Sequence, residues 1–169
     1  GGRPALAAQP SLPIEAPMTL RRVIALSDAG LSGASRGILG ALAVFPPKPN
    51  SFDEAAALAV SAADAQEWDA LLDAGMVESL GGGRYTLHPS IADYAATLPQ
   101  MECPAHRLAD WAASLPAARS GYWAELGADE SNALTAMQLA HESGQGDDHL
   151  RVLDAWFDYF EAAGRLDAI

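Results

Sequence analysis

Lysine is almost absent from this sequence, and acidic residues outnumber basic ones. Lys48 is the only lysine among ten basic residues, and the formal net charge is −12. Residues 1–99 contain 6 Arg or Lys against 10 Asp or Glu, and residues 100–169 contain 4 against 12. Proteins bind nucleic acids largely by neutralising the charge of the phosphates. The excess of acidic residues therefore argues against a surface that binds nucleic acids. Only Arg21, Arg22 and Arg36 could form a local basic stripe.

Cysteine and long apolar runs are also scarce. The single Cys103 excludes an intrachain disulfide and suits a reducing compartment. The longest apolar stretch, residues 38–47, contains a glycine, ends in two prolines and is far shorter than the ~20 residues that span a bilayer. Nothing near residue 1 resembles a signal peptide. We therefore expect a cytoplasmic location and no membrane association.

No catalytic motif is found in the sequence. The phosphate-binding pattern Gly-x-x-x-x-Gly-Lys-Ser/Thr does not occur, and no serine, histidine and acid suggest a triad. Cys103 and His106 have a spacing seen in metal sites, with Asp110 one turn beyond, but two ligands do not make a zinc site. A small hydrolase or metal enzyme would depend on that pair. We expect neither enzymatic activity, nor a bound metal, nor tight nucleotide binding from this chain alone.

The abundant alanine favours helix, and caps and apolar stripes predict where the first helices lie. Predicted helices begin after Thr19, Ser32, Ser51 and Asp64, with Glu54 and Glu67 completing capping boxes at the last two; Gly30, Pro46 and Gly75 end the first, second and fourth. Residues 1–17 contain four prolines without a period and are predicted to be a linker or lead-in.

The spacing of the apolar residues changes from a helical to an alternating pattern after Gly75. Residues 76–80 and 84–88 flank Gly81-Gly82-Gly83, which predicts a β-hairpin with a glycine turn. Pro89 is well placed at the first position of a further helix. Helices followed by a tight hairpin are the order of a winged helix, and we assign residues 18–98 to such a domain.

Residues 99–169 are predicted to form a second, helical segment. Amphipathic stretches cover residues 105–115, 129–142 and 147–163, and a short glycine loop joins the last two as an antiparallel hairpin. We expect the aromatic residues to pack in the core rather than to line a partner groove; they are Trp111, Trp123, Trp156, Phe157, Tyr159 and Phe160. The fold class is thus mostly α: a winged helix followed by helices similar to tetratricopeptide (TPR) repeats.

Three stretches resemble the winged-helix region of STAND-class (NB-ARC-like) signalling ATPases: residues 41–46, 52–56 and 68–77. The run of residues 84–95 looks like the segment that holds the family's Met-His-Asp motif. Residues 123–136 and 156–165 are similar to the start of the helical repeats in bacterial members. The likeness covers about residues 18–169, and its persuasive feature is the order of the matches.

This resemblance implies a regulatory fragment of a larger signal-transduction protein. In the family, the winged helix closes over a nucleotide bound by a preceding P-loop domain, and the motif histidine contacts the β-phosphate of ADP. His88 has that position here, whereas Leu87 replaces the methionine and Pro89 replaces the acid. The resemblance makes ADP or ATP the cofactor of the full-length protein. Its partners would be the neighbouring nucleotide-binding domain and proteins bound by the repeats.

Other interpretations stay open at this point. His88 could instead be a histidine bonded within the fold, and Arg84 is expected to be an exposed turn arginine rather than a phosphate or partner contact. The alternative function is a stand-alone winged-helix transcription regulator that binds DNA. Its recognition helix would be residues 64–75, which carry four acids and, of the residue types that read bases, only Gln66.

Overall fold

The protein is mostly helical with one small antiparallel sheet. A computed structural model describes residues 22–99, 102–119 and 123–165. The elements in these ranges are α1 (22–29), α2 (Gly33–Leu42), β1 (Phe52–Asp53), α3 (Glu54–Ser61), α4 (Ala65–Asp73), β2 (Glu78–Gly81), β3 (Arg84–Thr86), α5 (Pro89–Ala95), α6 (Pro104–Ala118), α7 (Trp123–Gly127), α8 (Glu130–Glu142) and α9 (Gly146–Ala162). The mostly-α class is confirmed. The predicted linker 1–17, the Thr19 cap and Arg21 lie outside the described residues.

Two of the predicted helix caps are confirmed and one is wrong. The side chains of Ser32 and Asp64 accept the backbone N–H three residues on, as expected of N-caps. The predicted cap Ser51 is replaced by Asp53, whose carboxylate accepts from the Ala56 N–H at 2.7 Å. The start of α3 is shifted because Phe52 and Asp53 pair with a strand before the helix begins.

The sheet has the order β1-β3-β2, and β3 pairs antiparallel with both neighbours. The predicted hairpin is confirmed, and Gly82 and Gly83 form its turn at φ 59° and 74°, a backbone region that glycine enters without strain. The strands are shorter than predicted. Val77 and Leu87 lie beyond their ends and are buried in the core. The strand β1 was not predicted from the sequence.

Residues 22–99 enclose an aromatic and aliphatic core. Phe45 and Phe52 stack with their ring centroids 4.3 Å apart, and Trp68 meets Tyr85 edge to face at 5.0 Å. Trp68, Phe45 and Phe52 are each no more than 2% exposed. This core brings the hairpin onto the helices, which an isolated two-stranded ribbon requires for stability.

The helices α6, α8 and α9 pack against one another, and α6 also packs on α3. Tyr159 near the end of α9 donates to Glu130 at the start of α8, and His149 near the start of α9 bonds Met137 O, so the predicted α8–α9 hairpin is antiparallel. Gly144, at φ 73°, ends α8 where a left-handed residue is needed. The short helix α7 was not predicted.

The prediction of an aromatic core is right for four residues of the second segment and wrong for two. Trp111, Trp156, Tyr159 and Phe160 are buried, whereas Trp123 and Phe157 are 46% and 45% exposed. Phe157 follows Trp156 directly, and consecutive helical residues point about 100° apart. Within the described ranges, no helix combines the length and the apolar character needed to cross a membrane.

Candidate functional site

His88 lies where the hairpin leads into α5. Leu87 before it is fully buried, and His88 itself is exposed. Its Nδ1 accepts a hydrogen bond from the Ser90 N–H at 3.2 Å, so His88 is the N-cap of α5 while Pro89 is at the first helical position. The histidine is therefore bonded within the fold and also accessible from outside it.

The cap bond determines which ring nitrogen of His88 can act as a donor. A neutral imidazole has one N–H, and Nδ1 accepts here, so the proton is on Nε2. An N–H at Nε2 on an exposed side chain can donate to a phosphate or carboxylate oxygen of a neighbour. The lone lysine lies beside this strand end, since the Lys48 N–H donates to Leu87 O at 2.9 Å. Its ammonium pairs with Glu78 at 2.8 Å.

The prediction of Arg84 as an exposed turn arginine is wrong. Its guanidinium donates to both carboxylate oxygens of Asp129, at 2.9 and 3.2 Å, and to the carbonyls of Ser51 and Ala128. The Arg84 side chain is 21% exposed and that of Asp129 is fully buried. The Arg84 side chain extends from β3 toward the start of α8. Its planar guanidinium carries N–H donors that match the two oxygens of the Asp129 carboxylate in a bidentate pair.

A second arginine approaches the same carboxylate from α6. Arg119, just past the end of this helix, donates to Asp129 at 2.7 Å and to Asp53 at 2.9 Å. Asn132, also fully buried, donates to Asp129 at 2.9 Å and to the Ser51 carbonyl. We call Asp53, Arg84, Arg119, Asp129 and Asn132 the Asp129 cluster. It joins the sheet and the start of α3 to α6 and α8.

The Asp129 cluster was missed in the sequence because its members are far apart along the chain. Arg84 and Asp129 are separated by 45 residues, and Arg119 and Asp53 by 66. From the sequence, Asp129 is expected at the start of a helix and within the stretch 123–136 that resembles the start of the helical repeats. The sequence does contain one indication of the cluster. Asp129 and Asn132 are three residues apart, about one helical turn, so two polar side chains lie together on a side that is buried in the core.

His106 lies against two carboxylates. Its Nδ1 lies 2.6 Å from Asp148 of α9, and its Nε2 lies 3.5 Å from Asp110. Cys103 is exposed. In the ranges that the structure describes, no group of three or more His, Cys, Asp or Glu side chains could hold a metal ion.

The face that a DNA-reading winged helix would present is acidic here. On α4, Gln66, Asp69 and Asp73 are exposed. Glu67 accepts from the hydroxyls of Ser32 and Ser35, so this carboxylate joins α4 to α2. Of the arginines that could form a basic stripe, Arg36 is paired with Asp28 at 2.9 Å, and Arg22 is exposed.

Two features thus stand out: an exposed histidine at a strand end, and a buried cluster that connects its strand to the second segment. No family model matches the chain, and neither a curated protein nor a solved structure matches it significantly. The function is therefore inferred from the chemistry and contacts of the described residues, together with the sequence resemblance.

Proposed function

We propose that this chain is the regulatory part of a STAND-type signal-transduction ATPase. A winged helix would couple the nucleotide state of a P-loop domain to a helical-repeat sensor, and His88 would contact the phosphate of bound ADP. In this proposal the chain itself catalyses nothing, and ADP or ATP is bound by the neighbouring domain of the parent protein. The observation that carries the proposal is the exposure of His88, whose Nδ1 accepts the cap bond and whose Nε2 is left to face a neighbour.

The order of elements in the first segment supports a winged helix. A helix, a short strand, two helices and a hairpin follow one another from α2 to β3, and the first strand pairs with the last. In such domains the hairpin is the wing, and the second helix of the pair, here α4, is the recognition helix. The antiparallel α8–α9 pair supports the proposal of TPR-like helices after it.

The Asp129 cluster supplies a physical connection between the two segments of this proposal. Arg84 is in β3, four residues before His88, and its partner Asp129 immediately precedes α8. A displacement of α8 would pull on β3 unless a buried ion pair is broken, which is costly in a protein interior. The second segment can therefore affect the position of His88.

The proposal predicts how substitutions of His88 change ADP release from the parent protein. The parent gene should encode a P-loop motif about 150–250 residues before Leu20, the size of one domain. In that protein His88→Ala removes a donor to the phosphate, and we expect ADP to dissociate about tenfold faster, since bonds to charged groups contribute about 1.5–3 kcal/mol. Stopped-flow release of a fluorescent ADP analogue measures this rate.

A matched variant separates the phosphate contact from the helix cap. His88→Asp keeps a side-chain acceptor for the Ser90 N–H and so keeps the cap, but it places a negative charge where the phosphate would lie. We expect His88→Asp to release ADP at least as fast as His88→Ala while its melting temperature stays closer to that of the wild type. Unchanged ADP release in both variants would refute the role of His88.

The DNA-binding alternative has weaker support from the same residues. Its recognition helix would be α4, whose exposed side chains include Asp69 and Asp73. Carboxylates at this position would approach the phosphates of the duplex closely, and the net charge of −12 adds long-range repulsion. The charge distribution therefore favours a protein or an intramolecular partner for this face.

A further inference from the structure

The outer face of α9 exposes apolar side chains at helical spacing. Leu150 is 61% exposed and Phe157 is 45% exposed, although the opposite face of α9 buries Val152, Trp156 and Phe160 against α6 and α8. Leu150 and Phe157 are seven residues apart, which is two turns or about 10 Å along the helix axis. Such spacing matches the apolar positions of a helix lying alongside.

Carboxylates surround these two apolar side chains. Asp147, Asp154, Asp158 and Glu161 are all exposed, and with Leu150 and Phe157 they follow the i, i+3, i+4 and i+7 pattern of one helix face. The basic residue on this face, Arg151, is already neutralised by Asp110 of α6 and by Asp148 at 2.7 Å. The outer face of α9 therefore combines apolar contacts with a negative charge.

A small cleft continues this surface toward α7. It has a volume of about 160 Å³, and Trp123, Asp158 and Tyr159 are among its lining residues. Trp123 is 46% exposed and stacks on Tyr159 with ring centroids 5.8 Å apart. Arg119 also lines the cleft, but its guanidinium is bonded to Asp129 and Asp53. Aromatic rings beside a carboxylate are a favourable environment for a lysine or arginine side chain.

We propose that the outer face of α9 and this cleft bind an amphipathic helix of a partner protein that is rich in lysine or arginine. Its apolar residues would contact Leu150 and Phe157, its cations would pair with the acids around them, and one cation would enter the cleft. The charge argues against other occupants. A second copy of α9 would bring carboxylates against carboxylates, and nucleic acids or anionic lipids would be repelled.

The inference names the class of partner that the helical segment would bind. It rests on the proposed function only for the assignment of that segment as a partner-binding sensor. It is tested with this chain alone, without nucleotide. The probe is a synthetic amphipathic peptide as long as α9, built from leucine and lysine at helical spacing, and its affinity is measured by calorimetry. We expect binding, and we expect Asp154→Asn/Asp158→Asn to weaken it by about three- to tenfold, because each exposed ion pair contributes about 0.2–1 kcal/mol.

Two controls separate a specific site from general attraction to an acidic protein. Asp69→Asn/Asp73→Asn makes the same change in net charge on α4 and should leave the affinity within about twofold. A peptide with glutamate in place of lysine should not bind. The proposal is overturned if the two double variants weaken binding equally, if neither does, or if the lysine peptide does not bind. Dimerisation that Phe157→Ser abolishes would also overturn it, because the face would then bind a second copy. In none of these cases is the ADP prediction for His88 affected.

Discussion

Asp129 illustrates at the residue scale how a buried charge depends on its partners. The carboxylate is fully buried and receives hydrogen bonds from two arginines and from Asn132. Burying a charge is unfavourable unless it is paired and hydrogen-bonded. Removing either the carboxylate or one arginine therefore leaves the remaining groups without compensation, which costs more than the net contribution of the intact cluster.

We predict that Asp129→Ala lowers the free energy of unfolding by about 3–5 kcal/mol, the usual cost of breaking a buried ion pair from one side. Arg84 and Arg119 would then lie in the interface without their shared carboxylate. Urea denaturation followed by circular dichroism measures the change. Glu78→Gln is the matched control, because it removes one partner of the exposed pair with Lys48 and should cost less than about 1 kcal/mol. Equal losses for the two variants would contradict the assigned role.

His88 combines two roles that the sequence suggests as alternatives, a bond within the fold and a contact with a neighbouring molecule. Its Nδ1 caps α5, so the histidine has a structural role, and its exposed ring can contact a neighbour as well. Because the two roles use different nitrogens, substitutions that keep only one of them can be designed. This is the reason that the aspartate and alanine variants are compared.

Among the helices, we expect the contact between the starts of α6 and α9 to depend on pH. The hydrogen bond to Asp148 is the main cause that raises the pKa of His106, and the charge of Asp110 adds to it. Burial acts to raise the pKa of Asp148, but its bond to His106 and the charges of His106 and Arg151 outweigh burial and lower it. His106 and Asp148 thus stabilise each other when both are charged.

The raised pKa of His106 and the lowered pKa of Asp148 determine how the stability of this contact changes with pH. A raised pKa of His106 in the folded state contributes stability that is complete below its ordinary pKa of about 6.5 and is lost as the pH rises through the folded value. A lowered pKa of Asp148 contributes stability that is lost as the pH falls through the folded value of that carboxyl. The α6–α9 contact should therefore be strongest at mildly acidic pH, above the ordinary pKa of the aspartate, 3.8, and below that of the histidine, 6.5.

We predict that the free energy of unfolding decreases as the pH is raised from about 6 through the folded pKa of His106, and that His106→Gln reduces this decrease. Urea titrations at a series of pH values measure it. Asp148→Asn removes the carboxylate that His106 bonds and should reduce the decrease as well. A slope in His106→Gln equal to that of the wild type would show that the contact contributes nothing.

At the scale of the whole molecule, the two segments are joined by more than the connection near residue 99. The helix α6 packs on α3, and the Asp129 cluster links β1, β3 and α3 to α6 and α8. Gly40 allows a close approach at this connection, because a Cβ there would lie 3.0 Å from the Pro99 carbonyl oxygen. A boundary between residues 98 and 99 therefore need not separate two units that unfold independently.

We predict a single cooperative unfolding transition for this chain. Trp68 reports on the first segment and Trp156 on the second, and both are buried. In each single-tryptophan variant that retains one or the other, the urea midpoint from fluorescence should coincide with the midpoint from circular dichroism of the same variant. In Asp129→Ala, which breaks the cluster, the two midpoints should separate. Distinct fluorescence and circular dichroism midpoints in the variants that retain Asp129 would show that the segments are independent.

The sequence alone determined most of the helices and the hairpin, because the signals for these elements are local. Ser32, Asp64 and Pro89 mark helix starts through bonds or geometry within one turn, and the glycines at 82 and 83 permit the hairpin turn wherever the rest of the chain lies. The apolar period also identified Trp156 and Phe160 as core residues. The exposed position of His88 follows the same local logic, since the residue lies between a strand and a capped helix.

The roles of Arg84, Ser51 and Phe157 depend on tertiary contacts that the sequence pattern did not predict. Arg84 pairs with an acid 45 residues away, and Ser51 lies next to a two-residue strand that exists only because β3 lies beside it. Phe157 is exposed because the bundle covers one side of α9. In each case the deciding partner is distant along the chain, and the free energy of such contacts depends on packing that a local pattern does not contain.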